Sequence, residues 1–305
     1  MKTLNDLGEL PALKRLAVII NCGTRLTTTL AVASLRAATD MPILLIDCES
    51  KDGSREHFSR LASRYGWSFY WLDWPLRKHG HALDLLFSQI TAEEVLLVDS
   101  DVEIRSGEVI AMMQDALAAD PQAYAAGFRH GPDWLGAEHG LPGQVGYYAE
   151  RMWIPLTLLR TEMVRKVLGA GASFIQRRDF VEFAHHPILS RWLAVRFWLP
   201  GLRSIRWRQK IDSAPAPAFI EFDTGARVHA ALVARGHRLI GLPDPVWQQV
   251  HHFHGVSRAG NRWLLRRILH KLGVRMASND TPEGSIGAEV RRRLIEVYAL
   301  ADPLA

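Results

Sequence analysis

Asp99-Ser100-Asp101 carries the clearest chemical meaning in this 305-residue chain, because the run before it, Val95-Leu96-Leu97-Val98, reads as a short buried strand. In an open α/β sheet, ligands bind beyond the carboxyl ends of the strands. Two acidic side chains one residue apart at such an edge can hold a hard divalent cation through oxygen ligands, leaving room for substrate phosphates. As a bare pattern the triplet also serves as a solvated turn, so its weight comes from the sequence on both sides. Two other groups bear reactive side chains: Glu221-Phe222-Asp223-Thr224-Gly225 and His251-His252-Phe253-His254-Gly255-Val256-Ser257.

The elements that would position these residues alternate regularly in the first half. Strands are expected at 16–20, 43–46, 68–72 and 95–98, and helices at 27–38, 54–65, 82–90 and 106–118, with Ser54 as a helix cap. Strand-helix repeats at this spacing predict a mostly parallel sheet with helices on both faces. The turn after the first strand is Asn21-Cys22-Gly23-Thr24-Arg25, not a G-x-G-x-x-G, which disfavours a dinucleotide site. Further on, 150–161 reads as a turn into a helix. Phe219-Ile220 reads as a strand end, and Thr224 as the cap of a helix closed by Gly236. Helices are also expected at 262–272 and 284–300, with Arg291-Arg292-Arg293 on a solvated face.

Composition sets ordinary bounds. At 48% hydrophobic the chain can bury one substantial core or one core plus an appendage. No signal-peptide pattern and no apolar run near the roughly 20 residues of a membrane span is present. Two cysteines, Cys22 and Cys48, make no disulfide framework, so a reducing, cytoplasmic setting is expected. The net charge of +5 fits an anionic ligand as well as a plain soluble protein.

The runs LAVIINCGTR, ILLIDCESKDGS, KHGHALD and VLLVDSD together resemble the nucleotide-binding half of a GT-A glycosyltransferase, nearest to family two, over about the first 105 residues. Asp47, Asp52, Gly53 and Ser54 match the family's second element, while Cys48 and Glu49 depart from it. Of the third element only Gly80 is recognisable, with Asp84 near its last position. The resemblance implies an α/β, Rossmann-like GT-A domain with a mostly parallel central sheet and flanking helices, followed by a C-terminal helical extension. Residues 1–128 would form the nucleotide-sugar-binding half, 129–256 the acceptor-binding half and 257–305 the extension.

Site roles follow from the same resemblance. Asp47, and Asp52 with it, would hold the nucleobase or ribose; the alternative is an Asx-type turn capping the next helix. Gly23 would let the backbone approach the donor. Arg25 would face its phosphates or else be a solvated helix start. Asp99 and Asp101 would hold Mn2+ or Mg2+ on the diphosphate, Asp99 also reaching ribose or metal-bound water. His252 would complete the metal site, with His254 as the alternative, and an imidazole favours Mn2+. Asp223 is the first choice for the base that deprotonates the acceptor and Glu221 the second, on the expectation that strand alternation sends both to one face. Trp134 and Trp153 would stack on a sugar or fill the core.

The implied activity is metal-dependent, hexosyltransferase-like transfer of a sugar from a nucleotide-diphosphate donor to an acceptor hydroxyl, with inversion. The acceptor is a glycan, a lipid-linked group or a small molecule, and no nucleic acid is expected. The stretch 188–208 mixes arginines with Trp192, Phe197, Trp198 and Trp207. It fits peripheral membrane contact, a basic flap or an amphipathic packing element. A nucleotidyltransferase acting on a sugar phosphate, and a catalytically silent sugar-nucleotide-binding protein, are the rival readings.

Overall fold

The computed structural model describes residues 1–75, 78–135, 146–180, 219–253 and 285–301. Its first half alternates β1 (Lys2–Leu4), β2 (Arg15–Asn21), α1 (Arg25–Ala38), β3 (Ile43–Cys48), α2 (Ser54–Tyr65), β4 (Tyr70–Trp74), α3 (His79–Gln89), β5 (Glu94–Asp99), β6 (Val102–Ile104) and α4 (Glu108–Ala119). Then follow β7 (Ala123–His130), β8 (Asp133–Leu135), β9 (Gly146–Tyr148), β10 (Arg151–Arg160), α5 (Thr161–Gly169), β11 (Arg177–Phe180) and β12 (Phe219–Phe222). A helix at Ala226–Val233 leads to β13 (Arg238–Gly241), β14 (Val250–His252) and, later, the C-terminal helix Ser285–Glu296.

The eight-stranded sheet runs β1-β4-β3-β2-β5-β10-β7-β13, and β10 alone lies antiparallel to its neighbours. Apolar side chains cover both faces. Leu83 and Phe87 of α3, Val164 of α5 and Leu232 pack on one, and Leu35 of α1, Phe58 of α2 and Met113 of α4 on the other. Burial on both faces is why β3 and β5 read as continuous apolar runs. This is the α/β arrangement with a mainly parallel sheet that the sequence predicts. Among the described residues no helix is long and apolar enough to cross a membrane.

Several local expectations are corrected. Residues 151–160 form a strand, not the start of a helix. They sit between β5 and β7, buried on both faces, so no alternation marks them. Pro155, which lacks an N–H, falls where the β10–β7 register shifts and no ladder bond is required. Ser54 is the first helical residue of α2 and Gly53 its cap, at φ 75°, while the Ala226–Val233 helix is capped by Gly225 rather than Thr224. Arg293 is not on a solvated face: its side chain is 17% exposed and binds buried Glu103. The expected helix at 262–272 lies outside the described residues.

Two smaller sheets flank the main one: β11-β12-β9-β8, and the antiparallel pair β14-β6 that sets His252 opposite Val102. The recognisable remnant of the third family element has a structural task. Asp84 Oδ1 accepts the Phe174 N–H at 2.7 Å and Oδ2 the Ser173 hydroxyl at 2.6 Å. Gly80, one turn earlier, lets this segment lie directly on α3. A Cβ at Gly80 would fall 2.7 Å from Ile175 Cα and 2.8 Å from Phe174 O. Phe174 O in turn accepts the Gly225 N–H at 3.2 Å, which ties α3 to the loop bearing Asp223.

Gly80→Ala therefore pits about 1 kcal/mol of helix propensity against about 1–3 kcal/mol of overpacking on rigid backbone. The overpacking wins, and the urea midpoint is expected to fall. A midpoint equal to or above the parent's would mean that residues 173–175 do not rest on α3.

Candidate functional site

Strand β5 ends on Asp99, and β6 begins just past Asp101, so the acidic pair occupies the carboxyl edge of the sheet. The β6–β14 pairing and a 2.9 Å bond from the Phe253 N–H to Asp101 O bring His252 alongside. One ligand atom each from Asp99, Asp101 and His252 lie within 4.8 Å of one another. His252 Nε2 approaches Asp101 Oδ1 to 3.3 Å, and His79 Nε2 lies 3.7 Å from Asp99 Oδ1.

Asp101 is 1% exposed, and neither of its carboxylate oxygens makes a well-formed hydrogen bond among the described residues. Burial raises the Asp99 carboxyl above the ordinary range; His79 opposes this and the Asp101 charge adds to it. Burial alone would lower the His252 imidazole, but the Asp101 carboxylate outweighs it and holds the group above its ordinary value. Two carboxylates and an imidazole, with the buried Asp101 Oδ2 lacking a partner among the described residues, fit a divalent cation of the Mn2+ type. His254, the alternative ligand, lies outside the described residues, as does the 188–208 stretch.

A hydrogen-bond hub joins this edge to the turn after β2. The Asn21 amide nitrogen meets Asp47 Oδ1 at 2.6 Å and the Ser50 and Ser54 hydroxyls at 3.0 Å. The Thr24 hydroxyl bridges Asn21 Oδ1 and Ser100 Oγ, 3.0 Å from each. Gly23, at φ 68°, donates its N–H to Ser50 Oγ at 2.8 Å and has open space on the side where a Cβ would project. Asp47 is buried, with its carboxyl raised by that burial against the donors Ser50 and Asn21. It borders a cleft of about 470 Å³ that Ser50, Gly53, Asp73 and Trp74 also line.

Asp52 takes the capping role: it accepts the Arg25 N–H at 3.1 Å through Oδ2 and the Ser54 N–H at 3.1 Å through Oδ1. Arg25 is half-buried beside Gly53. Sequence reasoning missed Asn21, Ser100, Asp73 and Trp74. Their signal was position: each ends or follows a buried parallel strand.

On the other side of the acidic edge, Asp223 is 40% exposed and lies 3.3 Å from Arg151 Nε. Arg151 also stacks over the Tyr148 ring, and its neighbour Glu150 is held by His229 Nε2 at 3.3 Å. Glu221 does not share this setting. It is 3% exposed, and Arg178 and Gln176 bind its two oxygens at 2.5 and 2.7 Å. Strand β12 ends at Phe222, so alternation no longer governs where Asp223 points. Trp153, 8% exposed, belongs to the core; its ring meets His252 edge-on at 5.5 Å.

No protein-family model matches the sequence, and a search of curated proteins finds no match. Among solved structures, the chain is similar to the mannosyltransferase PcManGT from Pyrobaculum calidifontis in complex with GDP-Man and Mn2+. The identity is 14% and the TM-score 0.49, over 94% of this chain and 71% of that one. S. aureus TarS 1-349 in complex with UDP-GlcNAc is 16% identical at a TM-score of 0.37, over 53% and 49%. The 4-diphosphocytidyl-2C-methyl-D-erythritol synthase from Anaerococcus prevotii is 10% identical at 0.37, over 52% and 75%.

The scaffold under the 21–25 turn also predicts a pH response. Thr29 Oγ donates to Arg25 O at 2.7 Å, so His57 Nε2, 2.8 Å away, must carry the proton it shares with that oxygen. His57 Nδ1 is then a buried acceptor with no partner among the described residues. Burial, aided by Arg25 and Arg60, lowers the imidazole to about 4. Its folded value lies below the ordinary 6.5, so on acidification the unfolded chain binds a proton first. Stability is full above about pH 6.5 and is lost as the pH falls towards 4, by up to about 3 kcal/mol from this group. Urea midpoints at pH 7 and pH 4.5 should differ less in His57→Gln than in the parent; an equal difference would place the titration elsewhere.

Proposed function

We propose that this chain is a metal-dependent GT-A glycosyltransferase that moves a sugar from a nucleoside-diphosphate donor to an acceptor hydroxyl with inversion. The observation that carries this reading is the convergence of Asp99, Asp101 and His252 at the sheet edge, around the buried Asp101 carboxylate, whose Oδ2 has no partner among the described residues. Asp99, Asp101 and His252 would hold Mn2+ or Mg2+, which neutralises charge on the departing diphosphate. The nucleoside would occupy the cleft bordered by Asp47, Asp73 and Trp74, with Gly23 leaving its backbone open to the donor.

Asp223 serves as the acceptor base in this reading. Its carboxylate takes the proton of the acceptor hydroxyl as that oxygen bonds to the anomeric carbon. The bond from that carbon to the diphosphate oxygen breaks with its electrons. Arg151, at 3.3 Å, orients the carboxylate. Glu221, with both oxygens bound, supports β12 instead. The acceptor class stays as the sequence leaves it: glycan, lipid-linked group or small molecule.

A thermal-shift panel tests the donor site, since a ligand that binds only the folded state raises the melting temperature. GDP and UDP head the panel, each with and without MnCl2. A rise that needs both metal and one nucleotide is expected, and it should vanish in Asp101→Ala while that variant still melts cooperatively. No shift with any nucleotide would overturn the reading.

Asp223→Asn is expected to keep the nucleotide-dependent shift yet slow release of nucleoside diphosphate from the sugar nucleotide by about 10²-fold or more. Unchanged release would move the base elsewhere. Pyrophosphate release from a nucleoside triphosphate would instead identify a nucleotidyltransferase.

A further inference from the structure

Glu103 is fully buried, and a buried carboxylate is tolerated only when paired and hydrogen-bonded. Its Oε1 accepts from Arg293 Nε at 2.7 Å and from the Tyr298 hydroxyl at 2.9 Å, and Arg293 Nη2 adds a contact at 2.5 Å. Its Oε2 accepts from Arg105 Nε at 3.3 Å, and Arg105 Nη2 donates to His251 Nδ1 at 2.8 Å. Glu103 is the register partner of His251, so the C-terminal helix and the residues just after it grip β6 directly, and Arg105 passes the grip on to β14.

An apolar contact grips the same ribbon independently. Phe253, adjacent to His252, is 4% exposed and packs with Val290, Leu294 and Leu300 against Leu26 and Leu30 of α1. The Phe253 N–H is the group that donates to Asp101 O. A two-stranded ribbon is marginal by itself. Here both grips converge on the strands whose ends carry Asp101 and His252.

We propose that the C-terminal helix sets the geometry of the cation site, with Glu103 and Arg293 as positioning residues that do not themselves touch the cation. The proposal rests on the metal reading above. It adds a specific dependence: segments distant in sequence, on β6 and on the last helix, tune metal affinity through the ribbon. Outer partners of this kind change metal affinity by about 10- to 100-fold when removed.

The test titrates Mn2+ into the full chain and follows loss of the free-ion electron paramagnetic resonance signal. Glu103→Gln and Arg293→Ala should bind about 10- to 100-fold more weakly than the parent, and Arg293→Lys, which keeps the charge, should recover part of the loss. Val164→Ala, in α5 on the face of the sheet opposite α1, is the stability control: it should lower the melting temperature and leave Mn2+ affinity alone. If Arg293→Ala fails to fold, Arg293→Lys and Phe253→Leu carry the comparison. Parent-like affinity in Glu103→Gln, or equal weakening in Val164→Ala, overturns the proposal. Absence of Mn2+ binding by the parent chain overturns the metal reading itself, and this proposal with it.

Discussion

Asp101 lies under the surface beside a second carboxylate, and no hydrogen bond in the described structure completes its oxygens. Desolvating a carboxylate whose Oδ2 has no partner among the described residues is unfavourable, and placing Asp99 next to it adds repulsion. The arrangement persists because rigid elements determine it. Strand β5 sits inside the sheet and fixes Asp99, the β6–β14 pairing fixes His252, and the Phe253 amide fixes the Asp101 backbone. Such a charge concentration has a chemical rationale if a cation completes it.

The other half of the site is built by polar satisfaction instead of its lack. Asn21 occupies the end of β2, where its amide joins Asp47 on one side and, through Thr24, Ser100 on the other. The cleft bordered by Asp47 and the acidic edge at 99–101 are thereby parts of one hydrogen-bonded frame. Asp52 extends the frame by satisfying the first N–H groups of both α1 and α2. On the other side, α3 reaches the loop of Asp223 through Asp84, Phe174 and Gly225. Asp47, the acidic edge at 99–101 and the loop of Asp223 thus hang from the carboxyl edge of a single sheet.

Much of this was legible in the residues. Parallel strands covered on both faces appear as uniform apolar runs, so β2, β3 and β5 stood out, with the acids at the ends of β3 and β5. Strand β10 did not, because full burial erased its alternation and Pro155 resembled a turn signal. Asp47 and Asp99 were found from their place after a strand, whereas Asn21 was read only as part of a turn. The pairing of Glu103 with Arg293 spans 190 residues. Local pattern cannot anticipate such a contact, and an arginine triplet ordinarily signals a solvated face. Sequence ranks Asp223 ahead of Glu221 but expects both on one face; the neighbours Arg178, Gln176 and Arg151 put them in different settings.

The central claim is that Asp99, Asp101 and His252 form one divalent-cation centre. Anomalous diffraction at the manganese edge, from crystals soaked in Mn2+ with a nucleoside diphosphate, tests it most directly. The account predicts an anomalous peak within coordinating distance of Asp101 and His252, with the diphosphate on its open side. A peak elsewhere, or bound nucleotide with no metal at this edge, would contradict it.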